Sequence, residues 1–145
     1  MRRIVRWVVI LVLATAASAT AAAPAMSDAT TGTARPLVTK LRADNLDATV
    51  LARGDRQALY YWSRERDGRV RCVGGCAKAW PPYIVPANRD IPWKLPGFRG
   101  VFGTVKRPDG RLQLTYNRLP LYTYANEGRG VVLCDDVGGW FAIRL

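Results

Sequence analysis

Histidine is absent from the 145 residues. Its absence excludes the Ser-His-Asp triad, the Cys-His dyad, imidazole metal ligands and the side chain that normally titrates near neutrality. Any chemistry would fall to carboxylates, tyrosines or thiols. Acids are scarce as well: 11 Asp and Glu stand against 22 Lys and Arg, a formal charge of +11. Cysteine occurs three times, an odd number. A long amphipathic helix is missing, and the helical pattern is confined to a short piece at residues 77–80. What remains is ordinary globular composition, 49% hydrophobic and 10% aromatic, at a length that suits one domain.

The first residues read as an export signal. Met1-Arg2-Arg3 is a basic start, residues 4–13 are apolar apart from Arg6, and Ala17-Ser18-Ala19 fits the small-residue rule for a cleavage site. Cleavage is expected after Ala19, or as late as residue 22. An uncleaved anchor is the alternative, but the run is shorter and richer in Ala and Thr than the ~20 apolar residues of a stable span. No cysteine lies near the cut, so a lipid-anchored N-terminus is not expected. Residues 20–36 are rich in Ala, Thr, Ser, Gly and Pro and read as a flexible linker. A single domain is expected over residues 37–145.

Within that domain, short apolar segments alternate with turn signals. Residues 49–52 and 58–62 read as a hairpin, 100–105 and 112–116 as strands around Pro108-Asp109-Gly110, and 119–124 and 139–143 as further strands. Residues 37–46 fit either a strand or a helical turn. The expected fold is mainly β: a small antiparallel domain with at most one or two short helices.

The two halves repeat. A shift of 62 places Leu59, Tyr60, Trp62, Glu65, Gly68, Val70 and Cys72 on Leu121, Tyr122, Tyr124, Glu127, Gly130, Val132 and Cys134, without a gap. Upstream it places Val50 on Leu112, Ala52 on Leu114 and Arg56 on Arg118. Repeat one covers about 48–82 and repeat two about 110–145. Two copies of one hairpin unit suggest pseudo-twofold packing around a shared core, since one unit alone has little apolar surface.

These residues resemble a bacterial family of secreted repeats of unknown function, predicted lipoproteins with a Y-x-[FWY]-x-x-D motif. The likeness rests on Tyr60-x-Trp62 and Tyr122-x-Tyr124, and on Cys72-Val73-Gly74-Gly75-Cys76 leading to Trp80-Pro81-Pro82. The segment from Gly103 to Tyr122 and the ending Gly139-Trp140-Phe141 also fit. The resemblance implies export and a β-rich repeat and leaves the activity open. It departs at Glu65 and Glu127, where the family has aspartate, and at Cys134.

Outside the cytosol, Cys72 and Cys76 are expected to form a disulfide across the Gly-Gly spacer, with pairing of either to Cys134 as the alternative. The longer spacing and the β setting differ from a redox-active Cys-x-x-Cys pair beside a βαβ pattern. Cys134 is the odd thiol: inert, paired within the chain, or intermolecular. Three thiols without histidine could hold Cu(I) or zinc, but disulfide formation competes, and no metal or cofactor is expected. The aromatics Tyr60, Trp62, Tyr122 and Tyr124 read as core and cross-strand pairs, or else as a platform for sugar rings. Trp80-Pro81-Pro82 is expected to pack over the sheet end, the prolines stopping any helix.

Glu65 and Glu127 are symmetry mates. Two carboxylates can run glycoside hydrolysis at suitable separation, but capping of turns or pairing with Arg64 and Arg66 is the plainer reading. Asp135-Asp136 lacks the further ligands of a calcium loop. Arg64, Arg66, Arg69 and Arg71 form a basic run that reads as solvated surface. The function expected from the residues is that of a non-enzymatic envelope module, binding or structural, in the periplasm or outside the cell. Its partners would be envelope components, including anionic polymers or a membrane surface, rather than nucleic acid. A thiol-disulfide or electron-transfer accessory using Cys72 and Cys76 is the alternative, and a carbohydrate-active protein a third. Oligomeric state is not set by the sequence.

Overall fold

The computed structural model describes residues 35–145; the expected export signal and nearly all of the expected linker lie outside them. The protein is mainly β. Strand β1 (Val38–Ala43) pairs antiparallel with β2 (Ala48–Arg53). The chain then gives β3 (Tyr60–Trp62), a one-turn helix α1 (Gly75–Ala79) and β4 (Ile84–Val85). The second half supplies β5 (Phe102–Lys106), β6 (Leu112–Tyr116), β7 (Leu119–Pro120) and β8 (Trp140–Ala142). Segment 37–46, ambiguous in sequence, is both things at once: β1 followed by a 3-10 turn at Asp44–Leu46.

The halves are related by a pseudo-twofold operation that appears bond by bond. In repeat one, Leu59 N–H donates to Leu51 O, Leu51 N–H to Ile143 O and Ile143 N–H to Leu59 O. In repeat two, Leu121 N–H donates to Leu114 O, Leu114 N–H to Tyr83 O and Tyr83 N–H to Leu121 O. The same triangle is therefore built twice, with Leu51 matched to Leu114, Leu59 to Leu121 and Ile143 to Tyr83. All but Tyr83 are fully or nearly fully buried in one cluster, against which Tyr83 packs.

The third corner of each triangle comes from the other half. The strand leaving repeat one, at residues 83–85, pairs with β6 of repeat two. The strand leaving repeat two, β8, pairs with β3 of repeat one. Tyr60 and Tyr122 face each other on the axis and exchange both backbone hydrogen bonds, 2.8 and 2.9 Å.

The register corrects the ungapped alignment upstream of the motif. Leu51, not Ala52, matches Leu114, a spacing of 63 rather than 62. Gly54 is the extra residue. Repeat one turns through Gly54, Asp55 and Arg56, whereas repeat two turns through Asn117 and Arg118 alone, and Arg56 and Arg118 close the two turns at φ 71° and 68°. Asn117 and Arg118 both have positive φ, the signature of a tight two-residue hairpin whose twist matches its strands. Gly54 cannot be another residue, because a Cβ there would lie 1.8 Å from Pro36 O.

Candidate functional site

The motif residues converge on the pseudo-twofold axis. Tyr60 and Tyr122 are fully buried, and each phenol reaches across the axis to the other half's glutamate. Tyr122 Oη donates to Glu65 Oε2 at 2.8 Å, and Tyr60 Oη donates to Glu127 Oε2. Glu65 Oε1 also accepts the backbone N–H of Arg71 at 2.5 Å and of Cys72 at 2.7 Å. Glu127 Oε2 accepts the N–H of Leu133, the counterpart of Arg71, at 2.6 Å. The glutamates thus cap turns, as expected, but they do not pair with Arg64 or Arg66. Those guanidiniums stand over the rings of Trp62 and Tyr61 instead, 5.2 and 5.8 Å from the centroids.

Between the tyrosines lies a column of rings. Trp80 and Trp140 stack at a centroid distance of 4.0 Å. Trp62 stacks on Trp140 at 5.4 Å, and Tyr124 lies against Trp80 at 4.8 Å. Tyr60 meets Trp80 edge-on at 5.3 Å, and Tyr122 meets Trp140 edge-on at 5.1 Å. Each pair has its symmetry mate; the two edge-on contacts have the geometry that aromatic quadrupoles favour, while Trp62 lies parallel to Trp140 and Tyr124 is tilted by 35° against Trp80. Trp80 therefore packs inside one of the two core clusters, against Trp140 and Tyr60. The helix does stop at Trp80, before Pro81, and Pro82 bridges to Tyr122 as Ala142 pairs with Tyr60.

The two poles differ in polarity. Arg107, buried in repeat two, donates from Nη2 to Cys72 O at 2.9 Å and from Nη1 to Gln113 Oε1; Gln113 Nε2 donates to Leu121 O at 2.7 Å. The matching positions in repeat one are Ala43 and Val50, because the pair Phe102–Tyr116 corresponds to Val38–Arg53. Glu127 has no salt-bridge partner among the described residues. Its Oε1 has no hydrogen-bond partner among the described residues, and burial raises its pKa above the ordinary carboxylate value. Burial first, and then the facing carboxylates, push both Tyr60 and Tyr122 far above the ordinary phenol value.

Cys72 and Cys76 form the disulfide. Cys134 is free, half-buried at the position equivalent to Cys72, and burial and the Glu127 charge raise its thiol pKa. A raised thiol pKa lowers the thiolate fraction on which nucleophilic attack depends. Among the described residues, no group of three or more Cys, Asp or Glu side chains could hold a metal. Asp135 accepts from Ala142 N–H and pairs with Arg144. Within the basic run, Arg71 pairs with Asp67.

Three features escaped the sequence reading. Trp140 is the mate of Trp80 at a spacing of 60, not 62, because the loop from Cys72 to Trp80 is two residues longer than the loop from Cys134 to Trp140. The shared order of cysteine, paired glycine and tryptophan in both halves is the signal that could have found it. Arg107 and Gln113 carry no pattern that marks them as buried. The loop at residues 86–99 joins the repeats and lies outside the repeated frame, so symmetry says nothing about it. Comparison with models of known protein families, with curated proteins and with solved structures returns no match.

Proposed function

We propose that this chain is an exported cell-envelope protein and works as a non-enzymatic binding module for anionic envelope components. Charge distribution carries the reading. Residues 35–145 hold 19 basic and 10 acidic residues, 19 − 10 = +9. Six of those acids, Asp44, Asp47, Asp55, Asp67, Asp109 and Asp135, already sit in salt bridges, and Glu65 and Glu127 are buried. The excess of Arg and Lys is therefore left to solvent and to whatever anion meets it. The resemblance to the secreted-repeat family supports export, as does a disulfide in so small a domain.

The reactive groups support a binding role in another way. The phenols and carboxylates of the motif hold each other and the turn amides, so their chemistry serves the core. The experiment is sedimentation of the protein with purified envelope fractions at rising salt. Binding that weakens steeply between low and physiological ionic strength supports the reading; binding that is absent or indifferent to salt removes it.

The redox alternative draws on one observation, the coexistence of a disulfide and a free thiol at equivalent positions. It requires the Cys72–Cys76 bond to exchange with a glutathione buffer, and resistance to that buffer eliminates it.

A further inference from the structure

We propose that the loop at residues 86–99 is a docking element for an anionic lipid surface, an inference that rests on the envelope reading above and names its partner. Trp93, at the middle of this loop, is 68% exposed, the most exposed large apolar side chain among the described residues. Lys94 Nζ lies 5.4 Å from its ring centroid, and Arg89 and Arg99 are exposed on the same loop. Lys40 Nζ joins them over Phe98, 5.7 Å from that ring centroid. The same loop walls a groove of about 420 Å³ through Trp93's neighbour Pro92 and through Leu95, Pro96 and Phe98, with Pro36 and Leu37 opposite and Arg89 and Asp90 also on its wall.

The loop is built, not loose. Phe102 N–H donates to Trp93 O at 2.9 Å, which fixes the indole's backbone to the start of β5. Phe98 N–H donates to Leu95 O at 3.1 Å around Pro96-Gly97, with Gly97 at φ 83°, the sequence and geometry of a type II turn. Lys94 Nζ donates to Arg99 O at 3.0 Å across the loop. Pro86, Pro92 and Pro96 restrict the backbone further, so little conformational freedom is lost on docking.

The combination selects the partner. A hydrated polyanion satisfies Lys94, Arg89 and Arg99 but offers nothing to an indole that water already surrounds. A lipid headgroup layer offers both: phosphate for the cations, and an interfacial zone where tryptophan is characteristically found. The apolar groove walled by the same loop extends the surface that such a layer can cover.

The test uses residues 20–145, the chain left after the expected cleavage, and vesicles with brominated acyl chains, either phosphatidylglycerol mixed with phosphatidylcholine or phosphatidylcholine alone. Tryptophan fluorescence is expected to be quenched by the anionic vesicles. Trp93→Ala should remove that component and weaken vesicle affinity at least tenfold. Lys94→Glu, which keeps the indole, should weaken binding at low salt and lose its effect at high salt. Equal quenching of wild type and Trp93→Ala overturns the proposal, as does equal binding to phosphatidylcholine alone. If envelope fractions still bind the protein while vesicles do not, lipid docking falls and the envelope reading stands. If neither binds, both fall.

Discussion

Trp80 and Trp140 lie face to face with their planes 7° apart, each continuing the other's half of the molecule. Each ring is also the edge-on partner of a motif tyrosine, so the pair ties both hairpins to one point. Truncation to alanine at either position should destabilise by about 3–5 kcal/mol, the range for buried aromatics. The two values should agree within about 1 kcal/mol because each ring meets its mate, one further ring and one motif tyrosine. Urea denaturation of both variants measures this, and one strong effect beside one near zero would contradict the symmetric core.

Glu65 carries more bonds than Glu127. Glu65→Ala strands the Tyr122 phenol and two backbone amides, and a loss of about 3 kcal/mol is expected from unsatisfied buried donors. Glu127→Ala strands one phenol and one amide, and should be milder by about 1 kcal/mol or more. Reversal of that order in equilibrium unfolding would show that the number of stranded donors does not set the cost.

At high pH the motif tyrosines should report folding directly. Their folded-state pKa values lie above the ordinary 10, chiefly because of burial. The folded state therefore holds its phenol protons where the unfolded state has lost them, and stability falls as pH rises past about 10. Phenolate absorbance should show Tyr60 and Tyr122 ionising only as the protein unfolds. Tyr60→Phe should remove one unit of that late step.

The acid limb contains opposed contributions. Asp55 is held near pKa 2, below its ordinary 3.8, first by hydrogen bonding to Arg53. Its contribution to stability is complete above 3.8 and is lost as pH falls towards 2, so Asp55→Asn should flatten that loss. Glu127 runs the other way: its pKa is raised, so its ionisation weakens the fold as pH rises above the ordinary 4.5. Glu127→Gln should abolish that decline. Thermal unfolding from pH 2 to 7 separates the two.

Alkylation without reductant should label Cys134 alone, and only slowly. Reduction first should add two further labels. The five-residue stretch closed by the Cys72–Cys76 bond is short, so its removal is expected to destabilise by less than the ~3 kcal/mol of a 15-residue loop. Mass spectrometry after each treatment decides the connectivity.

Equivalence between the halves was legible in the chain, and adjacency was not. A spacing of 62 identifies Tyr60 with Tyr122 and Glu65 with Glu127, yet it is silent on which phenol meets which carboxylate. The answer, each to the other's, depends on strands 83–85 and β8 crossing between halves, and short apolar runs carry no mark of their partner. Loop-length changes hid the rest. Gly54 moved the upstream register by one residue, and two extra residues after Cys72 separated Trp80 from Trp140 in any ungapped comparison. The strands at 102–106 and 112–116 were legible because turn chemistry at Pro108-Asp109-Gly110 and Asn117-Arg118 is local, whereas the strand expected at 119–124 shortens to Leu119–Pro120 and Ile84–Val85 carried no signal. The docking loop had no periodicity to betray it; its exposed indole became visible only once the strands around it were placed.

The exchanged strands also govern when this chain can fold during synthesis. The triangle of Leu51, Leu59 and Ile143 closes only once Ile143 has been made, more than 80 residues after Leu59. A nascent chain stopped before Trp140 lacks half of the central ring stack and one side of the first sheet. It should stay open until residues 140–143 emerge, and so remain threadable through a narrow conduit after the whole first half has been made.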